Sequence, residues 1–165
     1  MRAECVIALL REKNLRLASA ESCTGGLLAA VLTAVPGCSE CFGYGFITYS
    51  NEAKERLLKV PRQTLDIHGA VSAETAAAMA LGVAELARAD IGLSITGIAG
   101  PGGSTAEKPL GLVYVGLATD GQVITAKHNF SGNRDEVRAQ SVAAALALLE
   151  EQLIINNCGK NADAF

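Results

Sequence analysis

Two segments that read as strands, 112–118 and 123–129, are joined through Asp120-Gly121. An Asp-Gly connection favours a turn whose twist matches two paired strands, so the segment predicts an antiparallel hairpin. The chain before it alternates instead between helical and extended periods. A short helix over 5–13 carries Val6, Leu9 and Leu10 at helical spacing, and an extended piece over 15–20 follows. A helix over 27–34, apolar nearly all round and so expected to be buried against a sheet, ends at Val35-Pro36-Gly37. A strand over 42–49 leads through a Ser50-Asn51 cap into a helix over 52–58. After a polar connection, Gly69-Ala70-Val71-Ser72 turns into an alanine-rich helix over 73–87, followed by a central strand over 91–98. The last helix covers about 135–154. Alternation asks for parallel strands and the hairpin for antiparallel ones. The predicted fold is therefore α/β, a three-layer helix/sheet/helix sandwich with a mixed β-sheet.

The 165 residues suit one domain with a sizeable core, taken as 1–155, with 156–165 as a flexible tail. Half of the chain is hydrophobic, mostly Ala, Leu, Val and Ile, with no Trp. A stacking platform for single-stranded nucleic acid is thereby excluded, and a net charge of -3 gives no general pull on a polyanion. No stretch has the length of a membrane span, and the start lacks the apolar core of an export signal, so a cytoplasmic location is expected. Of the cysteines at 5, 23, 38, 41 and 158, Cys38 and Cys41 have C-x-x-C spacing. With no second pair at zinc-ribbon spacing they read as small apolar side chains of a loop, and no metal is expected.

The chemistry concentrates in Ala20-Glu21-Ser22-Cys23-Thr24-Gly25-Gly26, where an extended segment gives way to a helix. Two hydroxyls, a thiol and two glycines at a helix start make a polar nest whose N–H groups can hold an anion or a developing oxyanion. A serine nucleophile needs a base. His68 reads as a turn residue and His128 as an outward strand residue, which leaves lysine. Lys54 can serve if burial favours its neutral amine, and Tyr49, at a strand end, can face the same cleft and relay the proton or hold Lys54 and Ser22 in register. Cys23 is the rival nucleophile, and Thr24 can bind substrate or cap the helix. The loop Gly97-Ile98-Ala99-Gly100-Pro101-Gly102-Gly103-Ser104-Thr105 has nearly the spacing of a P-loop, but Gly103-Ser104 stands where Gly-Lys is required. It fits no dinucleotide fingerprint either. A backbone-lined phosphate or amide site remains, with Lys108, Arg134 and Arg138 as sources of positive charge.

These segments, together with Thr48-Tyr49-Ser50-Asn51-Glu52-Ala53-Lys54, Gly69-Ala70-Val71-Ser72, Lys108-Pro109-Leu110-Gly111 and Phe130-Ser131-Gly132-Asn133-Arg134, run in order across nearly the whole chain. In this the sequence resembles the nicotinamide-nucleotide amidase family, also described as the C-terminal domain of the competence/damage-inducible CinA proteins. The resemblance implies hydrolysis of the carboxamide of nicotinamide mononucleotide to nicotinic acid mononucleotide and ammonia, in pyridine-nucleotide salvage, with no cofactor. On the family pattern Ser22 is the nucleophile and Tyr49 and Lys54 activate it. Thr24, Gly25, Gly26, Gly97, Gly100, Gly102, Gly103, Thr105, Lys108, Arg134 and Arg138 are then the expected substrate-binding residues. Family members often carry a molybdopterin-binding-like domain ahead of this one, for which the chain has no room. A homodimer is expected. The alternative is a non-catalytic nucleotide-binding or competence-related interaction module.

Overall fold

A computed structural model describes residues 2–160. Among them, five strands form one sheet in the order β2-β1-β3-β4-β5: β1 is Leu17–Glu21, β2 Phe42–Ile47, β3 Ile91–Gly97, β4 Leu112–Thr119 and β5 Gln122–Asn129. β1 runs parallel to both β2 and β3, whereas β3–β4 and β4–β5 are antiparallel. The sheet is mixed for the reason expected: Asp120 and Gly121 both take positive φ, 51° and 73°, and close the β4–β5 hairpin.

Six helices cover the two faces: α1 is Arg2–Glu12, α2 Leu27–Thr33, α3 Asn51–Leu58, α4 Arg62–His68, α5 Ala73–Ala87 and α6 Arg134–Lys160. Strand alternation sends Leu17, Leu93, Ile95, Val113, Val115 and Leu117 to one side, where Val6, Ile7 and Leu10 of α1, Leu28 and Leu32 of α2 and Leu149 of α6 complete the larger core. The other side holds Ala18 and Ala20 with Leu58, Val60, Leu65, Met79 and Val83. There α5 lies almost on the backbone of the sheet. A Cβ added at Gly92 would run into the Ala80 carbonyl, and one at Gly116 into that of Ala76. Small residues on both partners permit this approach, and the Ser94 hydroxyl uses it to donate to Ala76 O at 2.6 Å.

Three features differ from the sequence reading. The polar connection after Pro61 contains helix α4, because Leu65 gives it one buried anchor against α5. Helix α2 is less buried than its composition suggests: only Leu28 and Leu32 are buried, and Ala30, Thr33 and Ala34 face outward, since a seven-residue helix near the sheet edge has only one face covered. The last helix continues past Ile154 to Lys160, and the remainder of the expected tail, 161–165, lies outside the described residues. Among the described residues no helix is long and apolar enough to cross a membrane.

Candidate active site

β1 ends at Glu21 between β2 and β3, at the edge where these three parallel strands finish together. Ser22 extends the β1–β3 ladder by one step, its N–H donating to Ile95 O at 2.9 Å. Left-handed backbone at Gly25 (φ 59°) and Gly26 (φ 97°) then turns the chain into α2. The nucleophile candidate is therefore fixed by the sheet on one side and by a tight turn on the other.

Lys54 reaches Ser22 from the first turn of α3. The Ser50 hydroxyl caps that helix by accepting from Ala53 N at 3.0 Å, and the helix so started points Lys54 inward, where it is 1% exposed. Its Nζ donates to Ser22 Oγ at 3.2 Å and to the Thr48 carbonyl at 2.8 Å. Thr48 is held in turn by its own N–H, which donates to Glu21 O at 2.8 Å. Burial pushes the amine of Lys54 down from 10.5 to about 8, with the nearby Cys23 acting weakly the other way. The same burial pushes the Cys23 thiol up to about 11, against the smaller lowering by its own backbone and by Arg134 and Lys54. A buried thiol of that kind is almost wholly protonated at neutral pH, which leaves Ser22 the better-equipped nucleophile.

Tyr49 sits at the rim, 58% exposed, and its hydroxyl accepts from Arg134 Nη2 at 2.8 Å. It bonds to neither Ser22 nor Lys54 among the described residues, so Lys54 faces Ser22 directly and not through the phenol. Arg134 Nη1 donates to Gly100 O at 2.7 Å, tying the glycine-rich loop to the same rim. Arg138 Nη2 donates to Thr24 O at 2.9 Å and its Nη1 lies 3.3 Å from Asp135. Thr24 is fully buried, and no partner is present for its hydroxyl or for that of Thr48 among the described residues. Serine, lysine, Cys23, Thr24, Tyr49 and the two arginines thus share one neighbourhood.

At two of the other expected binding residues, Gly97 and Gly100, packing alone leaves no space for a side chain. A side chain at Gly97 would meet Val113 and the Leu112 carbonyl, and one at Gly100 would meet Leu110, whereas nothing lies within 4 Å of a Cβ at Gly102. Gly103 has φ 87°. Thr105 and Lys108 close a local turn, Lys108 N donating to Thr105 Oγ1 at 3.0 Å, and Lys108 Nζ donates to His68 O. Lys108 is thereby drawn to the turn before α5. His68 lies 3.4 Å from Glu74, and His128 stacks on Phe130, so neither histidine is committed to Ser22. Cys38 and Cys41 are buried and free, and among the described residues no group of three or more His, Cys, Asp or Glu could hold a metal ion.

The polar nest itself is not open in the way the sequence suggests. Glu21, 1% exposed, fills it: its carboxylate accepts from Gly26 N and Leu28 N at 3.0 Å and from Ala29 N at 2.9 Å. Gly25 N and Leu27 N donate to Ser22 O and Thr24 O. A signal for this was present in the sequence, since Gly26 at the N-cap offers no side-chain acceptor and Glu21 is the nearest acid.

A family model described as the CinA C-terminal domain matches residues 1–153. A putative competence-damage inducible protein of Caldanaerobacter subterraneus subsp. tengcongensis is 55% identical over 150 residues, 91% of this chain and 36% of that protein. A CinA-like protein of Geobacter sp. strain M21 is 54% identical over 146 residues, 88% of this chain and 35% of that protein. The chain thus spans about a third of the length of the curated relatives it matches. Among solved structures, a competence-damaged protein (CinA) superfamily protein from Klebsiella pneumoniae 700603 superposes with a TM-score of 0.90 at 39% identity, covering 93% of this chain and 96% of that one. The competence/damage inducible protein CihA from Agrobacterium tumefaciens gives 0.86 at 39% identity, with 94% and 93% covered. By the span of the family model and by these relatives, the chain belongs to the CinA C-terminal domain family.

Proposed function

We propose that this chain is an amidohydrolase that cleaves the carboxamide of nicotinamide mononucleotide through an acyl-enzyme on Ser22. The observation that carries the reading is the buried amine of Lys54, pushed down to about 8 and held 3.2 Å from Ser22 Oγ. A structural lysine has no use for such a position, because burying an ammonium costs stability; a general base requires it. Lys54 takes the hydroxyl proton as Ser22 Oγ attacks the carboxamide carbon. Backbone N–H groups of the turn hold the developing oxyanion, each good donor being worth about 3 kcal/mol. The C–N bond breaks, the leaving nitrogen receives the proton from Lys54, and ammonia departs. Water, deprotonated by the same amine, attacks the ester carbon, the acyl C–Oγ bond breaks, and Lys54 gives the proton to the departing Ser22 Oγ. Arg134 and Arg138 supply the charge for the phosphate, and Tyr49 holds Arg134 in place, so that binding energy remote from the reacting carbon positions the ring.

The test is ammonia release from nicotinamide mononucleotide by the purified protein and by Ser22→Ala. Release by the first and not the second is expected. Binding of the mononucleotide without release would favour a nucleotide-binding module instead, and release by Ser22→Ala at the wild-type rate would remove Ser22 from the mechanism. Free nicotinamide, which lacks the phosphate, is expected to have a much lower kcat/KM. The expected homodimer is checked by mass in solution.

A further inference from the structure

We propose that Glu21 is a positioning residue for Ser22: by occupying the start of α2 it fixes the Ser22–Gly25 turn and leaves the N–H group of Thr24 as an oxyanion donor. The inference rests on the reading of Ser22 as the nucleophile. It begins from the fate of each N–H in the turn. Ser22 N is used by Ile95 O, Gly25 N by Ser22 O and Leu27 N by Thr24 O. Gly26 N, Leu28 N and Ala29 N all go to the Glu21 carboxylate. Among the described residues Thr24 N donates to no other group and Cys23 N reaches only its own thiol, and both belong to the two residues that follow Ser22.

A buried carboxylate is costly unless its oxygens are satisfied, and three N–H donors at the positive end of a helix satisfy this one. The arrangement also makes it rigid. Glu21 is the last residue of β1, paired across to Ile47 and Ile95, so its backbone is fixed by the sheet while its side chain grips α2. The turn that carries Ser22 is therefore clamped at both ends, with Arg138 on the Thr24 carbonyl as a third restraint. Burial is what keeps the Cys23 thiol protonated and out of competition with the serine, and the Glu21 charge adds only a small push in the same direction. Small displacements at such a site reduce rate far more than binding.

The test is the rate at which Ser22 is phosphonylated by a fluorophosphonate, a reaction that forms the Oγ–P bond, expels fluoride and needs the oxyanion donors but not the natural substrate. Glu21→Gln keeps the shape and turns one acceptor into a donor facing an N–H. It is expected to label Ser22 about 30-fold more slowly, with the pH midpoint near 8 unmoved and amide exchange at Leu28 and Ala29 accelerated. Glu21→Asp, which keeps the charge and loses reach, is expected to lie between the two and covers the case of a Gln variant that does not fold. Labelling of both variants at the wild-type rate would overturn the proposal. So would a pH midpoint moved to 7 or below in Glu21→Gln, since loss of a carboxylate charge lowers the pKa of a nearby amine and Glu21 would then act through the charge on Lys54. Wild type that is labelled at Ser22 yet releases no ammonia from the mononucleotide would sink the amidase reading and leave this role standing.

Discussion

The lowered pKa of Lys54 makes a prediction that can be followed quantitatively. With a value of about 8, about 9% of the amine is neutral at pH 7; at the ordinary 10.5 the neutral share would be about 0.03%. Burial therefore multiplies the neutral form of the amine about 300-fold at neutral pH. In the proposed mechanism the neutral amine is the active form, so kcat/KM for ammonia release should rise with pH, about 90-fold between pH 6 and pH 9, with a midpoint near 8 and a plateau above it. The companion measurement is NMR of the lysine Cε resonance in protein labelled with 13C-lysine, which follows the same group without turnover. A rate profile flat from pH 6 to 9 would refute the assignment of Lys54 as base. So would a Cε titration near 10.5 in the folded protein.

Three further outcomes follow from the packing and the rim. Gly116→Ala would push a methyl into the Ala76 carbonyl and should cost at least about 2 kcal/mol in urea unfolding, whereas Gly102→Ala, in open space, should cost under about 1 kcal/mol. Ser50→Ala removes the acceptor for Ala53 N and is expected to lower stability by about 1 kcal/mol, with kcat falling as α3 and Lys54 loosen. Tyr49→Phe should raise KM for the mononucleotide several-fold, because Arg134 loses a restraint, while kcat stays within about threefold. A collapse of kcat at constant KM would restore the phenol as a proton relay.

The sheet was legible because its two signals were local: helical alternation up to Gly97 and an Asp-Gly turn at 120–121 that reverses the strand direction. α4 was not, because its seven residues show one buried apolar position, too few for a period. At the site, Ser22 and Lys54 were legible as residue types that need one another, and the Ser50 cap gave Lys54 its place on a helix. What the residue types could not give was direction. Tyr49 lies two residues past the end of β2, beyond the strand the sequence predicts to reach it, and its hydroxyl goes outward to Arg134, some 85 residues on, while Lys54 fills the interior. The nest misled for a similar reason. Free N–H groups at a helix start are a demand for an acceptor, and a chain that can supply its own from the preceding strand end does so.

The cost of the base to the fold gives the last test. The folded chain disfavours the protonated amine, so below pH 8 Lys54 carries its full penalty, and the penalty is shed as pH climbs from 8 to 10.5, the window in which only the unfolded chain binds the proton. For the group alone this is a gain of roughly 3 kcal/mol with rising pH. Lys54→Met fills the same space without charge and escapes the penalty at pH 7. It gives up the bonds to Ser22 and to the Thr48 carbonyl, whose loss as a buried acceptor costs about 1–3 kcal/mol. The two effects nearly offset each other, with the balance toward the variant, so its Tm should stay level or rise by a few degrees while ammonia release disappears. A Tm lowered by ten degrees or more would mean that the lysine holds Thr48 and Ser22 together as a structural prop. In that case its depressed pKa would be a by-product of packing and not a catalytic adaptation.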